Sequence, residues 1–388
     1  MRRVLAAFVV LSLTAAAAGC GGARSYSESR QVLGTAVNVT VYPDGDAAKP
    51  AVASAFARMA VVEKTLSPYD ASSPIAVLNA DPYTPHRLPL EASMVFTTID
   101  AWRVGPTPSN AAENSTANTP GLFSPTLWGV TQMYSFAASE TVPRPVALRL
   151  AVLRSETWRR TGDEFVFIDV PQLPVRHGLH PVVTPTGTVY PSPQPTDAVA
   201  PPPGLDFGGA AKGLALDFAL QQLGGLEGGL ITAGSSTLAF GVKPDGEPWR
   251  VGIEDPRETG RVIAVVTAGK RPDATATLPP VPSLSVSTSG DYQLFFERGG
   301  VRYHHILDPA TGEPARGLRS LTVFGRMSGL DADVLSTALF VMGRDRALAF
   351  ARERGVGIYL VDANGKAASY VPPSLPGVTL ETQADPRP

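Results

Sequence analysis

One segment places oxygen ligands at the spacing of a helical turn. Residues 331–337 read DADVLST, so Asp333 and Thr337 are four positions apart and would share one helix face. A carboxylate, a hydroxyl and a nearby carbonyl are hard ligands that suit Mg²⁺, which takes few protein ligands and keeps positions for water and phosphate. A helix N-cap followed by a polar face fits the same pattern, so the segment alone leaves both interpretations open.

A lysine lies among small residues at the predicted start of another helix. Residues 206–217 read DFGGAAKGLALD. Small residues let a ligand approach the backbone, and the N–H groups of a helix start, together with Lys212, favour an anion such as phosphate. Neither the Walker pattern nor the dinucleotide glycine pattern matches. A helix start packed tightly against a sheet has the same composition and is the alternative.

Two of the five histidines stand side by side before a turn. His304 and His305 precede residues 308–312 (DPATG), which carry a turn signal. A histidine here could accept a proton near neutral pH, or bond to the backbone at a strand end. No H-E-x-x-H pattern supports a zinc site. Residues 287–292 (STSGDY) could hold a phosphate or form an ordinary turn, and no nucleophile elbow indicates a Ser-His-Asp hydrolase.

The predicted strands and helices that must position these segments do not alternate regularly along the chain. Residues 31–42 predict a strand, and residues 330–342 predict a strong helix. Residues 51–65 predict an amphipathic helix, with Val52, Phe56 and Met59 at helical spacing. This mixed order favours an α+β fold over a doubly wound parallel sheet.

Composition excludes several classes of function. The chain has 388 residues, of which 18% are charged, and a formal net charge of −2. A nucleic-acid binder usually carries an excess of basic residues. This chain has no such excess, so we expect no nucleic-acid partner. The single cysteine excludes an internal disulfide and a cysteine-rich zinc site.

The first residues predict an export signal. Arg2 and Arg3 precede an apolar run at 4–13, and small residues lead to Cys20. Residues 17–20 (AAGC) resemble a bacterial lipobox, in which the cysteine is lipidated, and an ordinary signal with an accidental cysteine is the alternative. We expect a signal peptide at 1–19 and a lipid-anchored flexible tether at 20–29. The protein would then be exported and held at the extracytoplasmic face of the cell membrane.

Taken in order, seven segments resemble motifs of the FAD:protein FMN transferases, the ApbE family. They are residues 33–35 (LGT), 67–79 (SPYDASSPIAVLN), 121–129 (GLFSPTLWG), 206–217, 288–292, 304–312 and 331–337. The resemblance implies an α+β, T-fold-like domain at 30–371, built from mixed or antiparallel sheets with packed helices. A Pro-rich insertion at 171–203 and a disordered tail at 372–388 complete the expected organisation.

The activity implied by this resemblance is a Mg²⁺-dependent cleavage of FAD. AMP would leave, and FMN would be esterified through its phosphate to a threonine of an acceptor protein. The resemblance implies FAD-lining positions at Leu33, Tyr69, Leu122, Phe123, Ser124, Asp206, Lys212 and Leu307. It implies metal ligands at Asp333, Thr337, Ser336 and the backbone carbonyl of Gly209. His305 is the candidate base for the threonine proton, with Asp308 orienting or assisting it.

Two positions depart from the family pattern. Residues 233–236 (AGSS) stand where a G-G-D or G-G-N turn is usual, and Ser124 replaces the acidic residue of F-D-P-T. Both changes remove polar groups that touch or support an FAD site in the family pattern. Two other functions stay open at this point: an FAD pyrophosphatase that yields FMN and AMP, and a non-catalytic FAD-binding lipoprotein.

Overall fold

The computed structural model describes residues 24–102, 104, 122–136, 141–169, 182–184, 187–189, 200–269 and 282–383. Its helices are α1 (Ala48–Leu66), α2 (Pro74–Ala80), α3 (Leu90–Trp102), α4 (Trp128–Tyr134), α5 (Pro145–Glu156), α6 (Ala211–Gln222), α7 (Gly329–Met342) and α8 (Arg344–Arg354). Its first nine strands are β1 (Tyr26–Val32), β2 (Thr35–Tyr42), β3 (His86–Arg87), β4 (Trp158–Thr161), β5 (Glu164–Phe167), β6 (Val182–Thr184), β7 (Gly187–Val189), β8 (Gly228–Ala233) and β9 (Ser236–Gly241). The others are β10 (Trp249–Asp255), β11 (Glu258–Ala268), β12 (Pro282–Gly290), β13 (Phe295–Arg298), β14 (Val301–His304), β15 (Leu318–Gly325), β16 (Gly357–Asp362), β17 (Ala367–Tyr370) and β18 (Val378–Thr382).

An eight-stranded sheet organises the fold. Its strand order is β1-β2-β8-β9-β12-β15-β16-β17, and every neighbouring pair is antiparallel. Smaller sheets consist of β10-β11-β18 and β3-β5-β4, and two hairpins consist of β13-β14 and β6-β7. Antiparallel sheets with packed helices agree with the predicted α+β class.

Helices cover one face of the large sheet. Helix α6 packs on both α1 and α7, and α7 lies against β12 and β15. The alternation along β2 explains the contact, because Val37, Val39 and Val41 are fully buried while the residues between them are partly exposed. Their burial joins the sheet to the main apolar core beneath these helices.

The small sheet β10-β11-β18 covers part of the opposite face. Trp249, Ile253 and Val266 contribute its side of a second apolar core. Leu284 and Val286 of β12 enter the same core, so the odd-numbered positions of that strand face the helices. On that helical side, β12 carries Ser285, Ser287 and Ser289, all buried.

The predicted strand at 31–42 is two strands joined by a tight turn. Leu33 and Gly34 both have positive φ, 59° and 67°, and Val32 pairs with Thr35 across the turn. Two consecutive residues in this conformation form the two-residue turn whose twist matches paired strands. Leu33 therefore lies at a hairpin tip, where glycine or asparagine is more usual.

Two predicted boundaries are wrong. The tether was expected to reach residue 29, but β1 begins at Tyr26, which pairs with Val41. The tail was expected to be disordered from 372, but β18 pairs with β11 and buries Val378. In both cases the local composition of the segment predicts no structure, but the segment pairs with a strand of a sheet. Pairing is favourable because it satisfies the hydrogen-bonding groups of the backbone.

Other predictions fall on residues that the structure does not describe. The signal peptide, Cys20 and the tether up to residue 23 lie outside the described residues. So does most of the Pro-rich insertion, where the described part includes the β6-β7 hairpin. Among the described helices, none combines the length and the apolar character needed to cross a membrane.

Candidate active site

Asp333 is the centre of a buried polar cluster between α7 and one end of the large sheet. Its Oδ1 accepts hydrogen bonds from Ser287 Oγ at 2.9 Å and Ser236 Oγ at 3.2 Å. Its Oδ2 accepts from the backbone N–H of Gly213 at 2.9 Å, and the residue is only 3% exposed. A buried carboxylate is stable only with such partners. Asp333 therefore joins three segments that are far apart in the sequence.

The other predicted metal ligands lie beside this carboxylate. Thr337 follows one turn later on α7, and its hydroxyl is 3.1 Å from Ser289 Oγ. Gly209 lies next to Thr337, because a Cβ at Gly209 would be 3.3 Å from Thr337 Oγ1. The hydroxyl of Ser336 is fully buried, donates to the carbonyl of Asp333 and lies 3.0 Å from Ser289 Oγ. Ser336 therefore lies behind Asp333 and Thr337, in a supporting position.

Glycine at 213 is required by close packing of α6 on α7. A Cβ there would be 2.7 Å from Asp333 Cβ and would overlap the carbonyl of Gly329. The close approach lets the Gly213 N–H reach the Asp333 carboxylate. The close packing expected for the small-residue segment is therefore present at Gly213, and anion binding by the segment stays a prediction.

Asp217 caps the N-terminus of α7, a role the sequence analysis did not assign. Its two carboxylate oxygens accept from Gly329 N at 2.6 Å and Leu330 N at 2.9 Å. Burial and the nearby Asp331 and Asp333 raise its pKa to about 7, against the lowering effect of the two backbone bonds. The signal was its place at the end of the 206–217 segment, but its partners lie more than 100 residues away.

The donor set fits Mg²⁺ better than a softer metal. It consists of one carboxylate, the Thr337 hydroxyl and the neighbouring Gly209 backbone, all oxygen ligands. Among the described residues, Asp333 Oδ2 accepts only the hydrogen bond from Gly213 N, so this oxygen keeps a lone pair for a metal. The described residues contain no cluster of three or more His, Cys, Asp or Glu side chains able to hold a metal, as a zinc centre would require.

A second group of predicted residues lies around the start of α6. Asp206 is partly buried, and its carboxylate accepts from Gly208 N at 2.9 Å. Burial raises the pKa of Asp206, while the Gly208 N–H and the charge of Lys212 act to lower it. Lys212 Nζ lies 3.4 Å from the Gly208 carbonyl, in the first turn of α6. The ammonium group of Lys212 thus lies at the N-terminus of α6, and both of them favour a bound anion.

Tyr69 is the most exposed aromatic residue near this group. It is 77% exposed, and its ring stands edge-on to that of Trp128, with centroids 5.2 Å apart. Partial burial of the hydroxyl and the charge of Asp206 raise the Tyr69 pKa. An exposed ring supported by a second ring can stack on a planar ligand.

The predicted segment 122–124 closes one side of the metal-ligand group. Phe123 is 5% exposed, and its ring would be 2.9 Å from a Cβ at Gly209, so it packs on that backbone. Leu122 N and Phe123 N both donate to the Val104 carbonyl. Ser124 bonds Thr126 Oγ1 at 2.7 Å, so its hydroxyl is used within the loop.

His305 has the geometry of a proton acceptor. Its Nδ1 lies 3.3 Å from the Leu294 carbonyl, which can only accept, so Nδ1 carries the proton and Nε2 is the basic nitrogen. Burial, the neighbouring His304 and the charge of Lys212 lower its pKa to about 4. His304 is instead a buried structural residue, which bonds the Ala315 carbonyl at 2.8 Å.

The roles predicted for Asp308 and Leu307 stay predictions, and the structure gives their surroundings. Asp308 accepts from Ala310 N at 2.9 Å within its own turn, while a backbone carbonyl orients His305. Leu307 is 6% exposed and packs with Tyr134 and Leu148 in a third apolar core. The turn thus uses one carboxylate oxygen of Asp308.

The 287–292 segment supports the site through its side chains. Ser287 and Ser289 bond to side chains of α7, and Thr288 bonds Thr322 at 2.8 Å. Asp291 forms a bidentate ion pair with Arg257, at 2.6 Å and 2.7 Å. That pair joins the end of β12 to the turn between β10 and β11. No sequence pattern pointed to Arg257.

Comparisons with known proteins identify the family of this chain. The profile of the ApbE family matches residues 33–360, which is most of the chain. The FAD:protein FMN transferase of Treponema pallidum is 31% identical, over 89% of this chain and 87% of that protein. This chain belongs to the ApbE family.

Solved structures show the same fold. The ApbE protein of Thermotoga maritima superposes with a TM-score of 0.67 at 24% identity, over 89% of this chain and 97% of that one. The apo flavinyl transferase ApbE of Pseudomonas stutzeri gives a TM-score of 0.65 at 25% identity, over 90% and 96% of the two chains. The ApbE resemblance and the predicted fold class are thereby confirmed, and the chain is a transferase of this family.

Proposed function

We propose that this ApbE protein transfers the FMN part of FAD to a threonine hydroxyl of an acceptor protein, in the presence of Mg²⁺, and releases AMP. The observation that carries the proposal is the position of Lys212, which precedes the Gly213 N–H bonded to Asp333 and whose charge acts on the base His305. Phosphoryl transfer depends mainly on positioning and on neutralising charge, and these groups supply both.

Residues around the start of α6 would bind the FAD diphosphate. Lys212 brings positive charge to that end of the helix, beside Gly208 and Gly209. Asp333, Thr337 and the Gly209 carbonyl would hold Mg²⁺, with Ser336 in support. A bound Mg²⁺ neutralises phosphate charge and stabilises the leaving AMP.

His305 would act on the acceptor. Its unprotonated Nε2 takes the proton of the threonine hydroxyl, while the Leu294 carbonyl keeps the ring in that tautomer. The threonine oxygen then forms a bond to the FMN phosphorus, and the bond from that phosphorus to the AMP oxygen breaks. Tyr69 offers a ring face for the flavin or the adenine.

The departure at 233–236 affects the metal site directly. The hydroxyl of Ser236 donates to Asp333 Oδ1 and lies 3.0 Å from Ser287 Oγ. The serine thus contributes a hydrogen bond to the Asp333 carboxylate in place of the usual acidic or amide side chain. A working metal site is compatible with this replacement.

Intact-mass measurement of an acceptor tests the function. Protein starting after Cys20 is incubated with FAD, Mg²⁺ and an acceptor domain of the class that carries FMN on threonine through phosphate. We expect the acceptor to gain the mass of FMN and AMP to appear in equal amount. AMP and free FMN with an unlabelled acceptor would replace the proposal with a pyrophosphatase. Bound FAD without any product would replace it with a binding protein.

We also propose that Cys20 carries a lipid and holds the protein at the outer face of the cell membrane. The proposal rests on the charged and apolar start of the chain and on the place of its only cysteine. Full-length protein expressed in bacteria should be found in the membrane fraction, and the Cys20→Ser variant should not. Equal membrane content of the two proteins would contradict the lipid anchor.

A further inference from the structure

The β13-β14 hairpin leaves one strand edge open beside His305. The outer side of β14 is occupied, because Ala315 N donates to the Ile306 carbonyl at 2.9 Å and the Arg316 side chain donates to the Arg302 carbonyl. In the described chain, β13 has β14 as its only strand neighbour. An open strand edge offers backbone groups to another polypeptide.

The register identifies which backbone groups point outward. His305 N donates to the Leu294 carbonyl at 3.1 Å, so these two residues form a hydrogen-bonded pair. Such pairs alternate along an antiparallel ladder, so Phe296 and Arg298 also bond to β14. Phe295 and Glu297 therefore direct their N–H and C=O groups away from the hairpin. Neither residue has a backbone hydrogen-bond partner there within the described residues.

The hairpin is held firmly, and its open edge has exposed apolar side chains. Phe296 and Tyr303 stack at 5.2 Å and belong to the third apolar core with α4 and α5. In contrast, Leu294 is 44% exposed and Phe295 is 38% exposed. The segment 294–298 has no lysine or proline to block pairing, and the carboxylate of Glu297 is held by Arg302 at 2.9 Å. A rigid edge with exposed apolar side chains suits recognition of an extended segment.

We propose that the outer edge of β13 binds the protein substrate, by pairing with an extended segment that leads to the hydroxyl to be modified. This inference rests on the proposed transfer to a protein hydroxyl. A strand added to β13 lies two strand spacings from β14, roughly 10 Å from the His305 backbone. About three residues of extended chain cover that distance. The segment that pairs with β13 is therefore expected within a few residues of the modified threonine.

The test removes one outward N–H and compares it with loss of the side chain alone. Glu297→Pro deletes the outward donor, and proline is tolerated where the N–H of an edge strand faces solvent. Glu297→Ala loses the same carboxylate but keeps the donor. The probe is the threonine acceptor domain used above, with FMN transfer followed by mass at varied acceptor concentration. We expect KM for the acceptor to rise roughly tenfold in Glu297→Pro and to stay within about twofold in Glu297→Ala.

Controls separate this inference from the proposed function. Affinity for FAD and the melting temperature should be equal in the two variants, because neither touches the residues assigned to FAD or metal. Wild-type protein that labels no acceptor would reject the proposed function itself. Wild-type transfer with equal KM in both variants would reject the docking edge alone.

Hydrogen exchange gives a measurement that needs no substitution. Amides of residues 294–298 in the His305→Ala protein are followed with and without the acceptor domain, so that turnover does not intervene. Pairing on β13 should slow exchange at Phe295 and Glu297, while Phe296 and Arg298 change little. Unchanged exchange at all four amides under saturating acceptor would overturn the proposal.

Discussion

Replacing His305 by alanine should reduce FMN transfer about 10³-fold, in the range typical for loss of a general base. The variant should still bind FAD, because the hydrogen bond of the His305 ring within the described residues goes to the Leu294 carbonyl and not to a residue assigned to FAD or metal. Transfer is measured by acceptor mass, and FAD affinity by flavin fluorescence. His86→Ala is a matched control, since His86 also bonds a backbone carbonyl, that of Asp81, at 2.8 Å in a distant part of the chain. Unimpaired transfer by His305→Ala would exclude the assigned role.

The pH dependence of transfer should follow the lowered pKa of His305. The base works in its neutral form, and its pKa of about 4 keeps it neutral at pH values where an ordinary histidine is protonated. We expect kcat/KM for the acceptor to be level from about pH 5 to 8 and to fall only as pH approaches 4. A fall centred near pH 6.5 would mean that the ring is solvated in the working enzyme.

Replacing Asp333 by alanine should abolish Mg²⁺-dependent transfer and also destabilise the fold. From the sequence alone, loss of activity without much loss of stability is the natural expectation for a metal ligand. The structure changes this, because removal leaves Gly213 N without its acceptor and leaves the hydroxyls of Ser236 and Ser287 with each other as partners. An unmatched buried donor costs about 1–3 kcal/mol, and the lost bonds to a charged acceptor add to it, so we expect a loss of about 2 kcal/mol or more. Denaturant unfolding without Mg²⁺ measures this loss.

Thr337→Val separates the metal role from the structural one. Valine keeps the shape of the side chain and removes a hydroxyl whose contacts are Ser289 Oγ at 3.1 Å and the Asp333 carbonyl at 3.4 Å. Stability should change by about 1 kcal/mol or less. The Mg²⁺ concentration needed for half-maximal transfer should rise about tenfold or more. If Thr337→Val keeps the wild-type Mg²⁺ requirement, and Asp333→Ala is fully active per folded molecule, the cluster is only a helix-capping network.

Local patterns determined the local structure well. The helix predicted at 330–342 is α7, one residue longer at its start, because apolar spacing and the serine N-cap act within a single turn. The helix predicted at 51–65 is α1, extended by three residues at its start and one at its end. The strand at 31–42 was predicted without its turn, because Leu33 has none of the residue types that mark positive φ.

In the candidate site, too, the features that depend on neighbouring residues were the ones predicted from the sequence. Sequence spacing placed Asp333 and Thr337 on one helix face and Lys212 at a helix start, since each needs only a few neighbouring residues. Ordered motifs along the chain also identified the family. In contrast, spacing gave no information on the Ala310 N–H that donates to Asp308 Oδ1, so the predicted assistance to His305 stays a prediction.

Only the tertiary structure decided which distant groups complete the site. Ser236, 97 positions before Asp333, donates to its carboxylate because β9 and β12 are neighbours in the sheet. Gly213 reaches the same carboxylate because two helix backbones approach closely, and Asp217 caps α7 from another helix. Such contacts depend on strand order and helix packing, which arise from burial over the whole chain and leave no periodic trace in any one segment. Residue types and spacing thus determined the chemistry available to this protein, and the antiparallel sheet with its packed helices decided which groups meet.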